Sequence, residues 1–141
     1  MPVRIEDYGL IGDTHTAALV GRDGSIDWLC LPRFDSGACF SALLGHSGHG
    51  RWIISPGESV LATGRRYRSD TLILETDFTT ASGTARVIDF MTPRNLLPDL
   101  VRIVEGVQEV LPGIRVHRLG GHTAGLQIIT VDTARGTVVL T

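Results

Sequence analysis

IGDTHTAALVGRDGSIDWLCLPRFDSGACFSALLG, residues 11–45, is the stretch whose reading decides the fold. Thr14–Val20 is small, β-branched and weakly alternating, which suits a strand. Gly21-Arg22-Asp23-Gly24 reads as a hairpin turn, because Asp-Gly supplies the left-handed backbone that tight turns need. Ser25–Leu31 returns as a second strand, with Ile26, Trp28 and Cys30 on one face and Asp27 and Leu29 on the other. Pro32 ends it, lacking a donor for the ladder. Asp35 or Ser36 is placed to cap a short helix over Ala38–Leu44, with Gly45 as its left-handed stop.

Working outward, Ile5–Leu10 reads as a short opening strand. Gly45–Gly50 is loop by composition, and Arg51–Ser55 is a strand carrying Trp52 and closed by Pro56-Gly57. In Thr71–Thr79, Leu72, Leu74, Thr76 and Phe78 share one face, while Ile73, Glu75 and Asp77 share the other. Ala81-Ser82-Gly83 turns the chain into Thr84–Met91, a second hairpin ended by Pro93. Asn95–Asp99 is loop and Leu100–Val104 another strand. The expected fold is mainly β: a partial antiparallel β-sandwich with one short helix and a C-terminal β-hairpin turning at Ala134-Arg135-Gly136.

The composition limits the function. With 141 residues, 43% of them apolar and 20% charged, the chain is globular and holds one domain, or one domain and a fragment. Its mean hydropathy of +0.16 fits a piece that packs against something else, and equally a rich core. A net charge of −2 argues against a nucleic-acid partner, which requires clustered Lys and Arg. No apolar run is long enough to span a bilayer. The N-terminus MPVRIEDYGL lacks an export pattern, so a cytoplasmic protein is expected, with Cys30 and Cys39 as small buried thiols.

The chemistry-bearing residues are few. Carboxylates are numerous (Asp13, Asp27, Asp35, Glu75, Asp77, Asp89), yet no spacing marks two of them as a catalytic acid–base pair. Trp28, Arg33, Phe34 and Asp35 sit at a strand end and its turn, where an aromatic face and bidentate polar groups suit a sugar ring. They read equally as core aromatics, with Arg33 paired to Asp35. Arg65–Arg68 (RRYR) reads as a phosphate or sugar contact, or as a charged strand edge that discourages pairing. His46 and His49 lie three apart without a third ligand nearby.

Five segments, IEDYGLIGDTHTAALVGRDGSIDWLCLPRFDSGACFSALLG, HGRWIISP, RRYRSDTLILETDF, GTARVIDFMTPR and PDLVRIVEG, occur in order between about Ile5 and Gly106. They resemble the N-terminal β-sandwich domain of bacterial glucoamylases and trehalases of glycoside hydrolase family 15. The resemblance implies a sandwich that precedes an α-helical barrel. The barrel carries the catalytic carboxylates and lies outside this chain. It also implies that the turn with Trp28, Arg33, Phe34 and Asp35 faces either a saccharide or that barrel.

From about Val110 the pattern changes. LPGIRVHRLGGHTAGLQIITVDTARGTVVL resembles a fragment of the metallo-β-lactamase-fold hydrolases, in particular their lactonase-like members. The resemblance places His122 at a zinc-ligand position. That family's His-x-His-x-Asp-His motif is absent from the sequence, so no metal and no other cofactor is expected. The expected organisation is an incomplete accessory sandwich over 1–106 joined to a foreign β fragment over 107–141. The expected function is a non-catalytic accessory domain of a trehalase or glucoamylase, with the missing barrel as partner and self-association through an exposed β edge. The alternatives are a zinc-dependent hydrolase fragment and a β-rich assembly module.

Overall fold

The computed structural model describes residues 4–106 and, beyond them, the backbone of 109–111, 114–118, 127–133 and 136–140. It is a β structure in which all strand pairs are antiparallel. The first sheet runs β1 (Gly9–Gly12), β2 (Ala17–Val20), β3 (Ser25–Cys30), with β4 (Ala38–Phe40) and β5 (Trp52–Ile53) both paired to β3. The second is a meander of β6 (Ala62–Tyr67), β7 (Leu74–Thr79), β8 (Thr84–Met91) and β9 (Leu100–Glu105). A third joins β10 (Glu109–Leu111), β11 (Ile114–Arg118), β12 (Gln127–Thr133) and β13 (Gly136–Leu140) in chain order.

The first two sheets form the sandwich. Ile11, Ala18, Val20, Ile26 and Leu29 from the first pack with Leu74 and Met91 from the second. A second cluster, Phe78, Val87 and Val104, packs against Ile54. The inner face of β7 is Leu74, Thr76 and Phe78, as the alternation predicts. Leu72, expected on that face, precedes the strand and is 47% exposed.

Inside the quoted stretch, one bulge changes the reading of β3. Leu19 pairs with Trp28 but Val20 pairs with Ile26, so Asp27 is the extra residue. An extra residue inverts the alternation. Ile26 and Leu29, three apart, therefore both reach the core, and Trp28 is left partly buried outside both clusters. Asp27 is held in the bulge by Tyr8 Oη, which donates to Oδ2 at 2.7 Å, and by the Ser25 hydroxyl. Burial and the Asp27 charge raise the Tyr8 phenol above its ordinary value.

Other expectations are corrected in the same way. Thr14 has a left-handed backbone (φ 76°), so β2 starts only at Ala17. Ile5–Asp7 is a 3-10 turn rather than a strand. Ala38–Leu44 is not a helix: Ala38–Phe40 pairs with Leu29 and Cys30, and a 3-10 turn covers only Ala42–Leu44. Seven residues without a buried apolar stripe gain more from a free strand edge than from two turns of helix. Gly45 has φ −168° there and is not left-handed. Cys30 is buried, but Cys39 lies exposed on this short edge strand; both thiols are free.

The hairpin turn at Gly21–Gly24 forms as read. Gly24 has φ +82° and lies so close to the Ile54 carbonyl that a side chain there has no room. The C-terminal strands pair as a hairpin, Ile129 opposite Leu140 through Thr133 opposite Gly136, within a larger meander than expected. Ala134 and Arg135 of its turn lie outside the described residues.

Candidate functional site: the loop cluster at one end of the sandwich

The loops following β1, β3 and β8 meet at one end of the sandwich, and a single guanidinium ties them together. Arg94 Nε donates to Asp13 Oδ2 at 2.6 Å, and its Nη2 donates to the Pro32 carbonyl at 2.6 Å. The other oxygen of Asp13 accepts the backbone N–H groups of His15 (3.0 Å) and Thr16 (2.9 Å). Burial acts to raise the Asp13 carboxyl, but the Arg94 hydrogen bond and those two N–H groups outweigh it and hold the carboxyl below its ordinary value. The Thr16 hydroxyl donates to the Cys30 carbonyl at the end of β3. Phe34 N–H donates to the His15 carbonyl at 3.1 Å, so the turn after Pro32 is laced to the turn after β1.

Beside this knot lies a groove of about 610 Å³, walled by Thr14 and His15, by Leu72 and Ile73, and by Phe90 and Met91, with Arg94 at its end. Its lining is mostly apolar, with hydroxyl and imidazole groups set into it.

Three of the four residues singled out from sequence come together here. Arg33 and Asp35 are exposed and bonded to each other, Nε to Oδ1 at 3.1 Å, which is the pairing the structural reading expected. Phe34 between them is 63% exposed, which excludes it from the core. Trp28 is not in this turn; it stands in mid-strand opposite Leu19. Arg94 was not singled out, although it ends the quoted segment GTARVIDFMTPR. Its role depends on partners 62 and 81 positions away, and no local spacing encodes that.

The remaining candidates are accounted for by structure. Arg65 and Tyr67 point from β6 toward the first sheet. Arg65 donates to the Val20 carbonyl at 3.0 Å, and the Tyr67 hydroxyl accepts from Leu10 N–H and donates to Leu10 C=O. Arg66 and Arg68 point the other way and bind Glu75. His46 and His49 stack at 4.1 Å between ring centroids, and His46 Nδ1 accepts from Gly48 N–H. Among the described residues no three His, Cys, Asp or Glu side chains converge as a metal site. His122 lies outside the described residues. No described helix is long and apolar enough to cross a membrane.

The buried carboxylates are committed to arginines: Asp13 to Arg94, Glu75 to Arg68 and Arg66, Asp89 to Arg102. Asp27 is taken up by Tyr8 and Ser25. A general acid in glycoside hydrolysis requires a carboxyl raised toward neutrality and open to substrate, and none of these is placed for it.

Comparison with known proteins gives one family. The model of the trehalase-like N-terminal domain matches residues 1–113. The chain is 40% identical over 85 residues to a trehalase of Mycolicibacterium smegmatis, an alignment covering 60% of this chain and 13% of that protein. It is 32% identical over 142 aligned positions to a trehalase of Mycobacterium tuberculosis, covering 82% and 21%. It is 34% identical over 112 positions to a trehalase of Thermoplasma volcanium, covering 75% and 18%. The chain thus spans about a fifth or less of the length of these curated relatives. No solved structure matches it.

Proposed function

Because this chain belongs to the trehalase-like N-terminal domain family, we propose that it serves as the non-catalytic accessory domain of a trehalase-type glycoside hydrolase of family 15. The observation that carries the reading is the family match over residues 1–113. The commitment of the buried carboxylates to arginine, tyrosine and serine partners supports it, since it leaves the hydrolytic pair to be supplied elsewhere. The turn Arg33-Phe34-Asp35 is read as facing the catalytic part of such an enzyme rather than a sugar, because the two charged groups are already paired with each other. Trp28 is left with a packing role.

We place the end of the accessory domain at Gly106, with 107–141 as a segment of second origin; the family match runs a little past this point, to residue 113. The pairing pattern supports the division, because β10–β13 pair only with one another among the described residues. The edges β10 and β13 are where self-association is proposed. A cytoplasmic location accords with two free cysteines.

The direct test is an assay of the purified chain on trehalose, maltose and starch. No glucose release is expected. Glucose release that co-purifies with the chain through successive columns would overturn the non-catalytic reading.

A further inference from the structure

The pairing that makes a strand of Ala38–Phe40 also brings two cysteines together. Leu29 pairs with Phe40 and Cys30 pairs with Ala38, so Cys39 is an extra residue held between the two pairs. Opposed Cα atoms in antiparallel strands lie about 4.5–5.5 Å apart, and a disulfide joins Cα atoms about 4.4–6.8 Å apart. The backbone spacing at this bulge therefore suits a bond between residues 30 and 39.

Burial places the two side chains on the same face. Leu29 is a core residue, and its partner Phe40 packs against the same cluster. Cys30 and Cys39 each adjoin one of these two in the chain, so alternation sends both to the opposite face. Cys30 is 4% exposed yet belongs to neither core cluster, which accords with that placement. Cys39 is exposed, and both thiols are free.

The difference in access orders the chemistry. An exposed thiolate can attack a disulfide in solution, whereas a buried one can attack only a neighbouring sulfur. We propose that Cys30 and Cys39 are a thiol–disulfide exchange site that forms a reversible cross-strand bond at the expense of a low-molecular-weight disulfide. Cys39 Sγ, deprotonated, attacks one sulfur of the small disulfide, joins it as a mixed disulfide and expels the other half as a thiolate. Cys30 Sγ, having released its proton to solvent, then attacks Cys39 Sγ and expels the second thiolate. Both leaving thiolates take up protons. The two cysteines lose two electrons, and the small disulfide is reduced to two thiols. The bond closes a loop over 31–38 and fastens β4, which pairs only with β3 among the described residues, to its neighbour. The Arg33-Phe34-Asp35 turn lies inside that loop. This assignment stands on the strand register and does not depend on the accessory-domain reading.

The test incubates the reduced, folded 141-residue chain in buffers of fixed oxidised-to-reduced glutathione ratio, quenches with acid and maps tryptic peptides without reduction. Arg22, Arg33 and Arg51 separate the two cysteines, so the bond reads as peptide 23–33 joined to peptide 34–51. That joined pair is expected as the main oxidised species. Its equilibrium constant is expected to be at least tenfold larger in buffer than in urea concentrated enough to unfold the chain. Cys30→Ser is expected to stop at the mixed disulfide on Cys39, and Cys39→Ser to take up no glutathione. A constant no larger in buffer than in urea would show that the fold does not juxtapose the thiols and overturns the proposal. So does a mixed disulfide on Cys39 that persists in the parent chain, or a Cys39–Cys39 bond between two chains as the main product.

Discussion

Arg102 shows how much one side chain contributes to holding the two sheets together. Its side chain is fully buried with that of its cross-strand neighbour Asp89, to which it donates at 2.7 and 3.3 Å. The same guanidinium donates to the carbonyls of Gly24 (2.6 Å) and Trp52 (2.8 Å), and lies 5.2 Å from the centre of the Trp52 ring. One residue of the second sheet thus satisfies two backbone acceptors of the first. Removing it strips a buried carboxylate of its arginine and each carbonyl of one donor, although the Gly24 carbonyl keeps the Ile54 N–H. Arg102→Met is expected to cost about 3–5 kcal/mol in urea unfolding. Adding Asp89→Leu is expected to recover part of that loss, because the stranded charge goes with it. A cost below about 1 kcal/mol for the single change would show that the carbonyls find other partners.

At the scale of elements, the outer face of β6–β8 is a ladder of opposite charges. Glu75 binds Arg66 and Arg68 at 2.5 and 2.6 Å, and Asp77 binds Arg86 and Arg66 at 2.6 and 3.2 Å. Hydrogen bonding from Arg68 holds the Glu75 carboxyl below its ordinary 4.5, and Arg86 does the same for Asp77 below 3.8. A carboxylate whose value is lower in the folded chain stabilises it above the unfolded value and loses that contribution as pH falls through the folded one. The contribution of Glu75 and Asp77 is therefore expected to be level from about pH 5.5 to 7.5 and to decline below about pH 4, while Asp89, whose carboxyl burial raises, contributes in the opposite sense. Thermal unfolding across that range checks it; a midpoint that rises on acidification would contradict the ladder's role. β7 and β8 were legible because the alternation of Thr71–Thr79 is regular and the Ala81-Ser82-Gly83 turn follows it; β6 was marked only by the charged edge at Arg65–Arg68. The end of the quoted stretch was not. Ala38–Phe40 mixes a helix former with a strand former, and the open edge of β3 makes it a strand.

For the whole molecule, strand pairing divides the described chain after Glu105. Neither sheet of the sandwich pairs with β10–β13 among the described residues. A chain ending at Gly106 is expected to unfold at the same urea midpoint as the full chain. A loss of more than about 2 kcal/mol would mean that the later strands contribute to the sandwich.

The amino-acid sequence by itself determined the β class, the turns at Gly21–Gly24 and Ala81–Gly83, the inner face of β7 and the family. These depend on local chemistry: a glycine where φ is positive, a proline where a donor is missing, an alternation of period two. Only the tertiary structure decided that Asp27 bulges and turns Trp28 away from the core. It also decided that Phe34 stays in water, and that Arg94 joins three loops into one surface. Each of these depends on partners far along the chain. A bulge reverses the alternation without marking the sequence, and an arginine's spacing does not record which distant carboxylate or carbonyl it will meet.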